Sequence, residues 1–454
     1  MQVINNFVNS FVFWAAWIII PVIMEIIPSI GSIFVLFKKH RKHKKYEEPI
    51  LYPEITLIIP VYNSQESLEG CIRSIDASDY PNDKIKIYLV NNQGQDDSFH
   101  VFHKCQEKHP DLMMQWMNAM QGKSKALNLA LFNSDGKYII HIDSDGQLEK
   151  SALKNMVKKF EADSSIDCMT GAILTEPSMI EQYHGLFAKL LRKLEFMEYA
   201  QAFLAGRNYA SETNSIYTLS GAFSAFRKSA VLKSQLYNTD TICEDTQITF
   251  QMRYLQKKKV HICENAIFFV DPIEDMNKLY TQRQRWQRGS LEVSHQFLKK
   301  ELHPYKLFTN VTVRTLMYDH TFAFPRMIWY LALICLLCMN YSFSLIIYST
   351  LFIFFLYILI GYFYFFSTLG FMSEFKELRS YYKKQWYIVA LLPFFNFLVF
   401  FIRFAGVINS INTDSAWKTK NQTEEKKAFT DTVKDDVKSI TGVYRKMKGW
   451  VNAQ

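Results

Sequence analysis

The chain divides into long apolar blocks and one section of mixed polarity. Residues 7–37 contain a single charged residue, Glu25, and residues 327–366 contain none. Residues 38–300, in contrast, mix apolar, polar and charged positions in the way that is typical of a globular domain. The pattern therefore predicts a globular domain that is flanked on both sides by membrane-type sequence.

A helix needs about 20 apolar residues to cross the hydrocarbon core of a bilayer. The chain is therefore predicted to cross the membrane near residues 11–36, twice within 323–366 with a break around 340–342, and near 386–411. The first segment lacks the basic start and the cleavage site of a signal peptide, so we expect it to remain as an anchor. The positive-inside rule places the basic run that follows it, 38–45, in the cytoplasm. We expect a multi-pass protein of the cell membrane with a cytoplasmic globular domain.

Short β-branched runs alternate with helical patterns inside the globular section. The predicted strands are 55–63, 85–90 and 137–142, and the predicted helices follow at 67–77 and from 122 onwards. Strands that alternate with helices predict an α/β domain with a largely parallel sheet. The ligands of such sheets bind beyond the carboxyl ends of the strands.

Polar side chains stand at the ends of these predicted strands. Asn63 and Asn91 follow the first two, and Asp143 and Asp145 follow the third. Two carboxylates one residue apart can hold a hard divalent cation, directly or through water, and leave coordination sites for phosphate oxygens. An ordinary acidic turn is the alternative explanation. The helix start at Lys123 is suited to an anion.

A second acidic site, Glu244 and Asp245, precedes a helical pattern at 247–255. Taken alone, a carboxylate at that position is best explained as a helix cap. The stretch around Ser220 and Gly221 consists of small residues, which permit close backbone approach to a ligand. A plain tight turn explains that stretch equally well.

The segment 280–289 places amide, guanidinium and indole groups on one predicted helix. Gln282 and Arg285 are three residues apart and share a helical face, so together they can hold a diphosphate by charge-assisted hydrogen bonds. The indole of Trp286 can stack on the apolar face of a pyranose ring. A basic helix beside an aromatic side chain is equally typical of a membrane surface, and the segment alone does not separate the two.

The motifs occur in the order Pro60-Val61-Tyr62-Asn63, Asp143/Asp145, Glu244-Asp245 and Gln282-x-x-Arg285-Trp286. In that order, beside membrane-type sequence, they resemble the processive membrane glycosyltransferases of family 2, which include cellulose, hyaluronan, chitin and poly-N-acetylglucosamine synthases. A looser resemblance is to the exosortase-associated bacterial subfamily, which shares a polar, Asn-rich second loop. The resemblance implies a GT-A, Rossmann-like fold with a mixed, mainly parallel sheet, joined to α-helical transmembrane segments.

Carried over position by position, the resemblance implies a metal-dependent, inverting transfer of a sugar from a nucleotide-sugar to an acceptor hydroxyl. Asp143 and Asp145 would bind Mg or Mn together with the donor diphosphate. Asp245, with Glu244 beside it, would be the catalytic base that takes the proton from the acceptor hydroxyl. A positioned base of this kind contributes on the order of 100-fold or more to a rate.

The resemblance also implies residues for both substrates. Those for the donor are Pro60, Tyr62, Asn63, Asn91, Lys123 and Asp143, and those for the acceptor and the diphosphate are Gln282, Arg285, Trp286, Ser220 and Gly221. In the relatives the loop after the second strand usually carries an Asp that helps to recognise the uracil ring, where this chain has Asn91 and Asn92. Asn can still hydrogen-bond the edge of a base, without charge, and UDP is the nucleotide that we expect first.

The acceptor is left open by the sequence. Proteins similar to ceramide glucosyltransferase share the acidic pair and the Gln-x-x-Arg-Trp pattern, so a single transfer to a lipid would use the same residues as extension of a polysaccharide. A non-catalytic membrane scaffold is a third alternative, and a membrane partner for export is a further open point. The net charge of +9 comes largely from basic clusters beside the apolar segments, which favours anionic membrane lipid and does not argue for nucleic acid.

The sequence thus predicts five regions along the chain. They are a membrane anchor with its basic flank at 1–45, a cytoplasmic GT-A glycosyltransferase domain at 46–300, an amphipathic interface helix region at 301–326, transmembrane helices at 327–411 and an amphipathic tail at 412–454. The interface region is assigned because Arg314, Asp319 and His320 are mixed with apolar side chains in the pattern of an amphipathic helix.

Overall fold

The computed structural model describes residues 21–41, 46–241, 243–299 and 343–412, together with the single residues 18, 329, 331, 335 and 338. The predicted interface helix region at 301–326 lies outside the described residues. The predicted break between two membrane spans around 340–342 also lies outside them, as does the predicted tail apart from Asn412.

One eight-stranded sheet forms the centre of the globular domain. Its strands are β1 (Ile55–Val61), β2 (Ile85–Asn91), β3 (Met113–Asn118), β4 (Tyr138–Ile142), β5 (Gly146–Leu148), β6 (Cys168–Thr175), β7 (Phe223–Arg227) and β8 (Val260–Val270). They follow the order β3-β2-β1-β4-β7-β6-β8-β5. The pairs β1/β2, β1/β4, β2/β3 and β6/β8 are parallel, and β4/β7, β6/β7 and β5/β8 are antiparallel. The predicted mixed, mainly parallel sheet is confirmed.

Helices cover both faces of the sheet and continue into the apolar part of the chain. They are α1 (Ile27–Arg41), α2 (Leu68–Asp76), α3 (Ser98–Lys108), α4 (Lys123–Asn133), α5 (Ala152–Ala162), α6 (Pro177–Gln182), α7 (Leu186–Tyr199), α8 (Arg207–Glu212), α9 (Lys228–Val231), α10 (Glu244–Phe250), α11 (Met276–Leu298), α12 (Phe343–Phe371), α13 (Lys376–Lys384) and α14 (Leu392–Asn412). Turns of π-helix lie at Val22–Ile26, Ala200–Gly206 and Gln251–Leu255, and 3₁₀ turns lie at Asn82–Lys84 and Trp386–Ala390.

Strand β1 shows why these residues form a central strand. All of its side chains are buried, because helices cover both faces of a sheet that is built from strand–helix–strand units. Successive side chains point to opposite faces, so Leu57 and Ile59 join one core cluster and Ile58 joins a second one. The predicted strands at 55–63, 85–90 and 137–142 are thereby confirmed as β1, β2 and β4, within one or two residues at their ends.

Two of the described helices are long and apolar enough to cross a membrane, by length and composition only. The qualifying segments are Ile346–Phe371 in α12 and Leu392–Asn409 in α14. At 1.5 Å per residue, the first is about 39 Å long, whereas the second, at roughly 27 Å, is slightly shorter than a hydrocarbon core of about 30 Å. Two of the four predicted spans thus have a candidate helix in the described part of the chain. The predicted span before the break at 340–342 lies almost entirely outside the described residues, and the one near 11–36 is described continuously only from residue 21, where α1 is a shorter helix.

The end of α1 contacts both the globular domain and α12 through polar side chains. Lys39 Nζ lies 3.3 Å from Glu212 Oε1 and 3.8 Å from Glu264 Oε1. His40 Nε2 lies 3.1 Å from the carbonyl oxygen of Ser367 in α12. The N-terminal helix therefore packs against the domain that follows it as well as against an apolar helix from the far end of the sequence.

Candidate active site

The site is built at the carboxyl end of β4, where the first acidic pair follows the strand. The Asp143 N–H donates to the carbonyl oxygen of Ala222 at 3.1 Å, which continues the pairing with β7 by one residue. Lys123, the first residue of α4, donates from Nζ to Asp143 Oδ1 at 2.5 Å and to the Gly221 carbonyl at 3.1 Å. Glu244 Oε1 lies 3.5 Å from the same Nζ. Lys123 thus joins the two acidic sites.

The charges at this edge of the sheet influence one another strongly. Burial would lower the pKa of Lys123, but the carboxylates of Asp143 and Glu244 outweigh that effect and raise it. The pKa of Asp145 is raised to about 6, first because the surrounding protein reduces its solvation and then because the Asp143 carboxylate is close. Asp145 is nevertheless open to solvent. The acidic pair is therefore a place where a bound cation would be electrostatically favoured.

Asp245 lies in the first turn of α10, but it is not the cap of that helix. Cys243 occupies the N-cap position, and the Asp245 carboxylate accepts from the N–H of the next residue, Thr246, at 2.6 Å. Burial raises the pKa of Asp245, while Lys123, the Thr246 hydrogen bonds and Arg207 oppose the rise. The capping explanation that the isolated motif favoured therefore does not account for this carboxylate.

Gly221 brings the backbone against that carboxylate. A Cβ atom at Gly221 would lie 3.0 Å from Asp245 Oδ2, so a side chain here would push the carboxylate away. His141 Nε2 lies 2.9 Å from the Gly221 carbonyl oxygen, and burial followed by the Lys123 charge lowers the pKa of His141 to about 4. The buried Ser220 hydroxyl finds no hydrogen-bond partner among the described residues. The small-residue stretch is thus a close approach to Asp245 rather than only a tight turn.

Helix α11 places its motif residues and the two residues between them on different faces. Gln282, Arg285 and Trp286 are at least partly exposed, whereas Arg283 and the next residue, Gln284, are buried. Asp275 caps the helix by accepting from the Lys278 N–H at 2.8 Å. The exposed face is the one that the spacing of Gln282 and Arg285 predicted.

The loop after β2 is held by its own amides. Asn91 Oδ1 accepts from the Gly94 N–H at 3.0 Å, and Asn91 Nδ2 donates to Asn118 Oδ1 at 3.1 Å. Asn92 Oδ1 accepts from the Gly122 N–H at 2.6 Å, which ties this loop to the start of α4. Asn63 adopts a positive φ of 51° after β1. These amides fix the shape of the loops around the strand ends.

Most of the predicted site residues line one cavity of about 2420 Å³. They are Asn63, Lys123, Asp143, Asp145, Ser220, Gly221, Glu244, Asp245, Gln282, Arg285 and Trp286. Pro60, Tyr62 and Asn91 are not part of its lining; Pro60 is buried inside β1, and Tyr62 is exposed just beyond it. The cavity continues along α12 and α14, where Tyr357 and Arg403 line it.

Residues 56–234 match the family described as Glycosyl transferase family 2. This stretch includes the carboxyl ends of β1, β2 and β4, as well as Lys123 and the acidic pair Asp143/Asp145. The chain contains a glycosyltransferase family 2 domain. The expectation that the motifs raised is confirmed at the level of the family, and the looser assignment to the exosortase-associated subfamily stays a prediction.

Curated relatives of the glycosyltransferase domain are poly-β-1,6-N-acetyl-D-glucosamine synthases. That of Staphylococcus aureus (strain COL) is 25% identical over 239 residues, which cover 53% of this chain and 55% of the relative. That of Staphylococcus epidermidis (strain ATCC 35984) is 22% identical over 309 residues, which cover 65% of this chain and 70% of the relative. The match thus spans only about half the length of the first relative.

The fold of the glycosyltransferase domain has a counterpart among solved structures. A mannosyltransferase from Pyrobaculum calidifontis, in complex with GDP-Man and Mn²⁺, superimposes with a TM-score of 0.54 at 17% identity. The superposition covers 82% of this chain and 97% of that one. At this identity the likeness concerns the fold, and it confirms the GT-A, Rossmann-like class.

Several residues of the glycosyltransferase domain's cavity were not predicted from the sequence. Arg207 lines it near Asp245, Tyr199 lines it beside Trp286, and Glu198, which pairs with Arg283, lines it as well. None of them belongs to a recognisable sequence motif, and the pattern around Glu198 and Tyr199 predicts only an ordinary amphipathic helix. Only their placement in the fold reveals them.

Proposed function

We propose that the protein is an inverting glycosyltransferase that moves a sugar from a nucleotide-sugar to a growing polysaccharide at the membrane. The observation that carries this proposal is the meeting of three motifs, from β4, α10 and α11, around one cavity. The polysaccharide synthases that resemble this chain support a polymer as the product. UDP-sugars are the donors that we expect first.

In this proposal Asp245 is the base. Its carboxylate is poised between Gly221 and the Thr246 N–H and faces the cavity, so it can take the proton of an acceptor hydroxyl that attacks the anomeric carbon. Arg285 would stabilise the charge of the departing diphosphate, and such stabilisation is usually the largest single contribution to catalysis. Trp286 would stack on the acceptor sugar. Glu244 holds Lys123 toward the acidic pair.

The residues at the end of β4 fit a divalent cation, Mg or Mn. Asp143 and Asp145 would hold it; when bound, the cation would neutralise charge on the donor diphosphate. Within the described residues, no group of three or more His, Cys, Asp or Glu side chains is placed to hold a metal by itself. Two protein carboxylates suit Mg²⁺, which usually takes one or two of them and completes its shell with phosphate oxygens and water. The Mn²⁺ in the mannosyltransferase complex is consistent with this assignment.

Transfer of a single sugar to a lipid acceptor is the second candidate function. The cavity extends from Asp245 to Tyr357 and Arg403 on the two apolar helices, so a lipid-linked acceptor would reach the base from the membrane side. The catalytic residues would be the same in both functions, and only the size of the product separates them. In either case we expect the protein at the cell membrane, with the glycosyltransferase domain at about 46–300 in the cytoplasm.

The test is release of nucleoside diphosphate by the purified full-length protein in nanodiscs. A panel of UDP-, GDP- and TDP-sugars is supplied with Mg or Mn, or with a chelator. We expect one donor to turn over, the chelator to stop turnover, and Asp245→Asn to lower the rate on the order of 100-fold or more. Asp240→Asn, a change at an exposed acid in the same segment, is the matched control.

The outcomes separate the candidate functions. A large glycan that forms from the active donor supports the polysaccharide synthase, and a lipid that carries one sugar supports the single transferase. Full turnover in Asp245→Asn would contradict the assignment of the base. Absence of turnover with every donor, in folded protein with membrane lipid present, would contradict the proposed enzyme.

A further inference from the structure

The last turn of α7 holds the motif of α11 from behind. Arg283 Nη2 donates to Glu198 Oε2 at 2.6 Å, and the two side chains are only 5% and 3% exposed. The guanidinium carbon of Arg283 lies 4.5 Å from the centre of the Trp286 ring and 5.3 Å from that of Tyr199. One buried ion pair therefore sits directly beneath the exposed indole.

Tyr199 extends the same contact to the other end of the motif. Its hydroxyl donates to Gln282 Oε1 at 3.5 Å, and its ring centre lies 6.4 Å from that of Trp286. Burial raises the pKa of Tyr199, so the phenol stays a neutral donor. Both Gln282 and Trp286 thus contact the segment Glu198–Tyr199, directly or through Arg283.

The backbone that follows Tyr199 is also unusual. Helix α7 continues into a π-helical turn, Ala200–Gly206, with Tyr199 as its N-cap residue. Single π-helical turns occur frequently at functional sites, because they move side chains out of α-helical register. Gln201 in this turn donates to the Gly361 carbonyl of α12 at 3.3 Å. The segment that holds the motif is therefore itself held against an apolar helix.

We propose that Glu198 is a positioning residue for the Gln282-x-x-Arg285-Trp286 face, acting through Arg283. A guanidinium cannot lose its proton in a protein, and its flat group stacks on an aromatic face. Because Glu198 holds the Arg283 guanidinium over the Trp286 ring, the ion pair limits how far that ring can move. This inference rests on the proposed function only for its catalytic consequence, since the contact itself involves no substrate.

The experiment measures the contact and its consequence separately in full-length protein in nanodiscs. Hydrogen–deuterium exchange of the backbone over residues 280–290 reports positioning without any substrate. Turnover of the active nucleotide-sugar and the affinity for UDP with Mn²⁺ report the consequence. The variants are Glu198→Gln, which removes the charge, and Glu198→Asp, which keeps it on a shorter side chain. The matched control is Glu161→Gln, because Glu161 also pairs with a cation, Lys137 at 2.6 Å, away from the cavity.

In Glu198→Gln we expect faster exchange over 280–290 with unchanged exchange in β1, β2 and β4. Turnover should fall on the order of 10- to 100-fold, as misplacement of a substrate-binding group does, while the UDP affinity changes less than about threefold. Glu198→Asp should recover part of the turnover, and Glu161→Gln should keep both the exchange and the rate. Unchanged exchange over 280–290 in Glu198→Gln would overturn the inference, whether or not any donor turns over.

A second variant covers the case in which Glu198→Gln does not fold. Arg283→Lys keeps a positive charge beside Glu198 but removes the flat group that stacks on Trp286. We expect this protein to fold, with faster exchange over 280–290 and lower turnover. If it exchanges and turns over like the wild type, Arg283 does not position the indole and the inference is wrong. If the wild type itself has no turnover, the proposed function fails, and the exchange result still decides the inference.

Discussion

At the scale of single residues, Asp245 illustrates how the fold prepares a carboxylate. Burial raises its pKa, and Lys123, the Thr246 hydrogen bonds and Arg207 limit the rise. The result is a carboxylate that is a stronger base than an exposed one and still sits beside positive charge. A base acts best when its pKa lies closer to the working pH, so this environment suits the proposed role.

The first prediction concerns the pH dependence of turnover. Because the pKa of Asp245 is raised above the ordinary Asp value of about 3.9, the carboxylate should take up a proton, and turnover should fall, at a higher pH than for an exposed Asp. Arg207→Gln removes a charge that lowers this pKa, so the acid limb of the kcat/KM profile should move to higher pH. The profile is measured for both proteins. An acid limb that moves to lower pH in Arg207→Gln would contradict this environment for Asp245.

The second prediction concerns the close approach of Gly221. In Gly221→Ala the new Cβ would stand 3.0 Å from Asp245 Oδ2, so the carboxylate must move by a few tenths of an ångström. We expect turnover to fall about tenfold or more, as small misplacements at a reacting group do, with little change in the melting temperature. Gly31→Ala is the control, because its Cβ would meet nothing within 4 Å. Equal rates in Gly221→Ala and wild type would show that the contact is unimportant.

At the scale of elements, the strands rich in β-branched residues could be predicted and others could not. The runs that became β1, β2 and β4 are β-branched and end in polar residues at the functional edge. Strand β3, Met113–Asn118, contains no β-branched residue and gains its place by pairing with β2 at the sheet edge. The π-helical turn after α7 could not be predicted from the sequence, because it depends on tertiary contacts such as the hydrogen bond from Gln201 to the Gly361 carbonyl.

The third prediction concerns the packing of α11 on α14. Arg403 Nε donates to Gln287 Oε1 at 2.8 Å, and a Cβ at Gly406 would lie 3.3 Å from the Cα of Gln284. The glycine thus lets the two helices approach closely. Gly406→Leu should force them apart and lower both the melting temperature and turnover, because α11 carries the motif face.

The control for this third prediction is Ile408→Ala, at an exposed position of the same helix. Melting temperature and turnover are compared with those of the wild type. A Gly406→Leu protein that keeps wild-type stability and rate would mean that the helix contact does not position the motif. A fall in stability that leaves the rate per folded molecule unchanged would limit its role to folding.

At the scale of the whole molecule, the site joins segments that are far apart in sequence. The strand pattern predicted that Asn63, Asn91 and Asp143 would lie at one edge of the sheet, because parallel strands bring their carboxyl ends together. That Asp245 and Trp286 belong to the same site was implied only by the family resemblance. The strand pattern did not predict that the cavity would continue between the globular domain and α12 and α14, since that depends on contacts such as Arg403–Gln287. Nor does a spaced motif identify Glu198, whose role depends on a partner 85 positions away.

The last prediction concerns attachment to the membrane. Helix α12 exposes the large side chains Ile347, Tyr348, Leu351, Phe352, Phe355, Leu359, Phe363 and Phe366. Each contributes on the order of 1 kcal/mol when lipid covers it, whereas attachment by surface charges is screened by salt. The protein should therefore stay in the membrane pellet through washes with high salt and alkaline carbonate, and detergent should release it.

The double variant Phe355→Lys with Leu359→Lys should weaken retention, because charges are costly in the bilayer core. Phe99→Lys, at an exposed side chain of the globular domain, should not. Release of the wild type by salt alone would mean that α12 is covered by protein rather than by lipid.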